Sequence, residues 1–263
     1  MKLSDVPYDI TCLLFLSLSF LSSDASAVKN DWKEYRASHF IIYHNHVPED
    51  FLKTVENAAE NYYQEIATNL GFTRYKSWSW EERARIYIYD DADDYARQSW
   101  QVPWSSGAAF SHGKVIQTFP AAHGFFDSTL PHELGHIIFR EFVGDGADVP
   151  RWFEEGVAMY QEKARRWGSS KQVSEAIKNG QFIPLSKLTH MRLYNDSSQE
   201  TVQLFYAEAA SIVYYMITEL GAERFVRLCR QLKDGRPFEA ALKETYARFI
   251  TLDDLNKAWV DSL

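Results

Sequence analysis

Two kinds of hydrophobic spacing divide this chain. In the first half, β-branched and aromatic residues crowd into short runs: His39 to His46 (HFIIYHNH) and Arg85 to Tyr89 (RIYIY). Both predict strands. Between them, Phe51, Leu52, Val55, Ala58, Ala59, Tyr62 and Ile66 recur at helical spacing, and Gly71 follows as a stop signal. Ala108 to Phe110 and Lys114 to Phe119 predict two short strands turning at His112-Gly113.

From Thr129 onward the period is mostly helical. Thr129 to Phe142 has Asp127 or Ser128 as candidate N-cap, Pro131 in the first turn and Gly144 past the end. A second helix is expected from Pro150 to about Arg166. A long one spans Glu200 to Leu220, with Leu204, Phe205, Ala209, Ile212, Val213, Met216 and Ile217 on its apolar positions. Shorter helices are expected over Ala222 to Lys233, Phe238 to Phe249 and Leu252 to Leu263. The predicted fold class is α+β: a small mixed β-sheet with an edge hairpin, then a mainly helical C-terminal half.

Composition changes this picture little. Of 263 residues, 46% are hydrophobic and 24% charged, which suits a packed domain and not a disordered chain. The net charge of −8 argues against a nucleic-acid partner, which would need a basic face. The N-terminus stands apart. Thr11 to Leu21 is a short apolar run, and Ala25-Ser26-Ala27 follows as an A-x-A cleavage pattern. Residues 1–27 therefore predict a secretory signal peptide, with residues 28–263 as one exported domain, periplasmic or extracellular, that keeps no stable membrane insertion. The mature chain would retain Cys229 as its sole cysteine, so no internal disulfide is expected.

Chemistry concentrates in TLPHELGHIIFREF, Thr129 to Phe142. On a helix, His132 and His136 lie one turn apart on the same face and can share one metal. Zinc favours such neutral nitrogen ligands. Glu133, one step round, can lean toward the open coordination position and take a proton from water there. The same pattern also arises by chance on an amphipathic helix. A catalytic zinc needs a third protein ligand, and Glu155 follows His136 with eighteen residues between them, inside Trp152-Phe153-Glu154-Glu155-Gly156-Val157-Ala158.

The combination H-E-x-x-H, eighteen residues, then W-x-x-E-G-x-A resembles the gluzincin metallopeptidases, the aminopeptidase N-like enzymes and the peptidase MA-like superfamily around them. The resemblance implies a zincin-like fold and one zinc per chain held by His132, His136 and Glu155. It implies Glu133 as general base and a peptide or protein as substrate. It gives Gly156 the task of letting the second helix approach the first. Of the adjacent acids, Glu154 is expected to point about 100° away, toward solvent. Trp152 and Met159 are expected to form an apolar stripe against the first helix.

A tyrosine on a later helix often stabilises the developing oxyanion in the resembled enzymes. Tyr206 is the candidate here, because Ala209 and Ala210 leave room beside it; a core aromatic is the competing reading, and Tyr214 and Tyr215 are the alternatives. Two departures stand out. Aminopeptidases of this group carry a G-x-M-E-N strand whose glutamate grips a free amine, whereas Gly107 to Ser111 has no carboxylate, which points away from aminopeptidase activity. Thermolysin-like enzymes place an aspartate where Met159 stands.

Other residues carry weaker signals. Asp90, Asp91, Asp93 and Asp94 read as a turn capping a helix and not as a calcium loop. His44 and His46 share a strand face without a third ligand. His112 and His123 flank the edge hairpin, within reach of a cleft. Trp78, Trp80, Trp100 and Trp104 suit core packing better than a binding groove. The sequence thus predicts an exported zinc metallopeptidase. The alternative is a non-catalytic binding protein for peptides or cell-wall material that keeps the fold and the zinc.

Overall fold

A computed structural model describes residues 32–72, 82–99, 108–110, 114–120, 122, 124–162, 169–194, 197–249 and 251–263. The expectations for the signal peptide, for His112 and His123, and for Trp78, Trp80, Trp100 and Trp104 lie outside these residues.

Five strands form one sheet in the order β1-β2-β3-β5-β4. They are β1 (Lys33–Arg36), β2 (Phe40–His44), β3 (Ala84–Ile88), β4 (Ala108–Phe110) and β5 (Val115–Thr118). The three central strands, β2, β3 and β5, run parallel, and β1 and β4 close the edges antiparallel. Parallel neighbours require crossovers, and helix α1 (Glu49–Asn69) supplies the one between β2 and β3. Alternation puts Phe40, Ile42, Ile86, Ile88 and Ile116 on the core face, against Leu52, Val55, Ala59 and Ile66 of α1. Strand β1 was not anticipated, because its sequence, Lys-Glu-Tyr-Arg, has no apolar run and leaves most of its side chains exposed.

Beyond β3, Asp91 caps the short helix α2 (Ala92–Ser99): its Oδ1 accepts the Asp94 N–H at 2.7 Å, as the acidic cluster predicted. The edge hairpin of β4 and β5 also stands as expected. The helical half contains α3 (Leu130–Val143), α4 (Arg151–Tyr160), α5 (Ser169–Lys178), α6 (Leu185–His190), α7 (Gln199–Thr218), α8 (Ala222–Lys233), α9 (Phe238–Thr245) and α10 (Leu252–Val260). Helices α5 and α6 are additions to the predicted set. No helix among the described residues is long and apolar enough to cross a membrane.

The start of α3 differs from expectation. Neither Asp127 nor Ser128 caps it. A π turn over Phe125–Thr129 runs straight into the helix, with the Leu130 N–H reaching the Phe125 carbonyl. This wider turn leaves the Ser128 hydroxyl donating to Glu162. The helix ends at Gly144, whose N–H bonds the Arg140 carbonyl at 2.7 Å and whose φ of 92° suits a residue without a Cβ.

Helix α4 is the centre of the helical layer and packs on both α3 and α7. Two glycines set these approaches. A Cβ on Gly135 of α3 would lie 2.9 Å from Cα of Ala158. A Cβ on Gly156 of α4 would lie 2.5 Å from Cγ2 of Val213 and closer still to the Ala209 carbonyl oxygen on α7. Gly156 therefore admits α7, and Gly135 brings α3 and α4 together, which corrects the task assigned to Gly156 from the motif. Trp152 of the expected apolar stripe is turned toward α6 and α9. The Trp152 ring packs edge-on against Phe153 and Phe238, and its indole N–H donates to the Thr189 hydroxyl at 2.9 Å. The far end of α4 is tied to α1 through Asn69, whose amide donates to Gln161 at 3.3 Å.

One acid sits deep in this helical layer. Glu208 of α7 is fully buried and accepts the Ile183 N–H at 2.9 Å. Burial pushes its carboxyl up to about 8, so at neutral pH it is held mainly as the acid.

Gly156→Ala is expected to lower stability by about 1–3 kcal/mol or more, because the α7 backbone has no room to yield. Gly146→Ala, with open space around it, is the control and should change little. Paired denaturant melts check this; equal midpoints for the two variants would refute the close approach of α4 and α7.

Candidate metal centre

The site is built on the facing sides of α3 and α4. His132, Glu133 and His136 occupy the first two turns of α3, and Glu155 the second turn of α4. All four are buried. Nε2 of His132 and Nε2 of His136 lie 3.2 Å apart, and Oε2 of Glu155 lies 3.6 and 3.5 Å from them. Among the described residues, these three form the one group able to hold a metal, with ligand atoms all within 4.8 Å of one another.

The donor set fits zinc. Tetrahedral ligands at about 2.0–2.1 Å from a zinc ion stand roughly 3.3 Å from each other, close to the three separations observed. Oε2 of Glu155 and both carboxylate oxygens of Glu133 are buried without a hydrogen-bond partner. Buried oxygens in that condition are costly unless a cation or a reacting proton answers them.

The ring nitrogens facing away from the cluster are held by carboxylates. Nδ1 of His132 lies 2.8 Å from Oε1 of Glu162, whose Oε2 accepts the Ser128 hydroxyl. Nδ1 of His136 lies 3.5 Å from Oε1 of Glu154. Glu154 is thus not turned to solvent. The Arg140 guanidinium binds both of its oxygens and also donates to the Ala147 carbonyl at 3.2 Å. An Nδ1–H donated to a carboxylate fixes the tautomer that presents Nε2 to a metal and strengthens it as a ligand.

The electrostatics follow from crowding carboxylates into a buried space. Burial alone pushes His132 down, but Glu155 and Glu162 overcome it and raise it to about 9. His136 is raised well above its ordinary value against the same burial, by Glu154 and Glu155. Burial raises Glu133. Against burial, His136 and Arg140 hold Glu154 down at about 2, and the two histidines hold Glu155 well below the usual carboxylate range. The cluster attracts positive charge strongly, which is what a divalent cation requires.

Tyr206 lies on α7, half-buried, with its ring edge-on to Phe205. Gly156 meets Ala209, and Tyr160 meets Tyr214 at 6.2 Å between ring centroids, so α4 and α7 run in the same sense through their contact. Tyr206, three residues before Ala209, falls level with the first turns of α4. Tyr215, one of the alternatives, is buried, and its hydroxyl accepts from Arg248 at 3.2 Å. His46 is exposed and paired with Asp90 through Nδ1 at 2.8 Å, and it joins no metal group among the described residues.

Sequence reasoning missed Glu162, Ser128 and the Arg140–Glu154 pair. Periodicity carried a usable signal for Arg140, which follows His136 by four residues and so falls on the same face of α3; Glu162 lies two residues past the end of α4 and gave none.

A mixed sheet backed by helices, with two histidines and a glutamate converging from neighbouring helices, is a zinc metallopeptidase-like fold of the gluzincin type. The chain belongs to the Peptidase MA superfamily, which its sequence matches over residues 76–263. Among solved structures it is similar to native yeast LTA4 hydrolase, with a TM-score of 0.52 at 15% identity. That likeness covers 89% of this chain and 38% of the hydrolase, so this chain spans well under half of its length. No curated protein sequence matches.

Glu162→Ala is expected to weaken zinc binding about 10–100-fold by releasing the His132 ring, and Glu162→Gln should recover part of that because it keeps an acceptor oxygen. Competition against a chelating dye measures both. Unchanged affinity in Glu162→Ala would show that the ring is held by its packing alone.

Proposed function

We propose that this chain is an exported zinc metallopeptidase that hydrolyses peptide bonds. The observation that carries the reading is the convergence of His132, His136 and Glu155 beside a glutamate, Glu133, whose two buried oxygens have no hydrogen-bond partner. His132, His136 and Glu155 are the proposed zinc ligands, one ion per chain. When bound, zinc supplies a Lewis acid that polarises a carbonyl and lowers the pKa of a bound water to about 7.

The chain's own groups do the rest. Glu133 accepts the proton of the attacking water at a carboxylate oxygen and passes it to the leaving amine nitrogen. Its burial favours the protonated form, so the carboxyl can hold that proton between the two transfers. Glu162 and Glu154 keep the two imidazoles in the ligating tautomer. Tyr206 is the proposed donor to the oxyanion that develops on the substrate carbonyl. The substrate is a peptide or protein, and the cleavage is not that of an aminopeptidase, because residues 107–111 carry no carboxylate to hold a free amine.

Glu133→Gln is expected to retain about one zinc per chain by elemental analysis and to lose about 10²–10⁴-fold in turnover of a peptide library. Turnover equal to the parent's would make the metal structural. A zinc-loaded parent that cleaves nothing would favour the binding-protein reading.

Export is part of the proposal, on the strength of the apolar run and Ala25-Ser26-Ala27. N-terminal sequencing of exported material should begin at Val28. Recovery only from the cytoplasm with Met1 intact would overturn it.

A further inference from the structure

Among the described residues, Arg151 is the one arginine beside the cluster whose guanidinium is not used up by the fold. It opens α4 one turn before Glu155, so the two side chains share a helix face. Its Nε lies 3.5 Å from Oε1 of Glu155, the oxygen opposite the one that faces the histidines. Arg140 makes the contrast. Its guanidinium is spent on both oxygens of Glu154 and on the Ala147 carbonyl, and its side chain is 17% exposed. Arg151 is 31% exposed, and among the described residues its two terminal nitrogens have no partner. With Nε next to the buried glutamate, about a third of the side chain remains exposed beside the cluster. The paired N–H groups of its terminal fork match a carboxylate in bidentate geometry.

We propose that Arg151 is a specificity-determining residue that binds a carboxylate of the substrate close to the bond being cut. The substrates it selects are peptides presenting a C-terminal carboxylate, or an aspartate or glutamate side chain, next to the scissile bond. The proposal rests on the metallopeptidase reading for the position of that bond. The chemistry of recognition is the same for either source of carboxylate.

The test uses the zinc-loaded Glu133→Gln protein, so that binding is read without turnover. The probes are three sets of N-acetylated, fluorescently labelled hexapeptides. One set ends in a free carboxylate. The second carries the same sequences amidated. The third is amidated with Asp or Glu replacing Asn or Gln. Fluorescence polarisation should show the first or the third set binding about tenfold tighter than the second, and which of the two does so identifies the source. Adding Arg151→Gln should bring all sets to within about twofold of each other with zinc content unchanged, and Arg151→Lys should keep part of the preference.

Three results would overturn the proposal. One is the absence of any carboxylate preference with Arg151 intact. Another is a preference that survives Arg151→Gln. The third is loss of zinc in both Arg151 variants, which would make the residue a holder of Glu155 and nothing more. Failure of the metallopeptidase reading is separate: it appears as a zinc-loaded parent protein that cleaves none of the three sets.

Discussion

Everything at the site depends on how closely α4 lies to its two neighbours. The imidazoles of α3 and the carboxylate of α4 come within 3.6 Å of one another because Gly135 lets the α3 surface rest on the backbone at Ala158. Gly156 does the same on the other side of α4, toward Ala209 and Val213 of α7. A side chain at either position would separate helices that must stay in backbone contact. The aromatic packing around Trp152, Phe153 and Phe238 then fixes the rotation of α4 about its own axis. That rotation decides that Glu155 enters the cluster while Glu154 turns to Arg140.

Electrostatics is the second layer of the same design. Glu133, Glu154, Glu155 and Glu162 all come from two adjacent helices and the turn that follows, and all are buried or nearly so. Burying acids at this density is expensive unless positive charge is near. Arg140 answers Glu154, and the imidazoles answer Glu155 and Glu162. Among the described residues the Glu133 oxygens have no hydrogen-bond partner, which is why the proposed mechanism gives this carboxylate the proton transfer.

Much of this was legible in the sequence, and the parts that were not share a cause. The trio His132, His136 and Glu155 followed from the i, i+4 spacing of the two histidines and from the second motif. Four of the five strands and the long helices followed from periods of two and 3.6. Strand β1 was invisible because Lys33, Glu34 and Arg36 give no apolar alternation; it exists because β2 has an edge to pair. The π turn was invisible because one extra residue in a helical turn leaves no mark on composition. Glu154 was misread because helix geometry says where a side chain leaves the backbone but not what waits there. An arginine fourteen residues upstream was waiting. The part played by Gly156 was misassigned for the same reason: a glycine announces a close approach without naming the neighbour.

Contact on both flanks of α4 has a consequence for which ion the centre accepts. A glutamate on a loop or at a frayed helix end shifts to suit a larger or smaller ion, and so binds several metals about equally well. Glu155 stands on a segment clamped by main-chain packing on either side, so its reach is set before any ion arrives. In a centre that holds an ion as proposed, discrimination among divalent ions of different radius would be a property of the scaffold, written in two hydrogen atoms where other residues carry a Cβ.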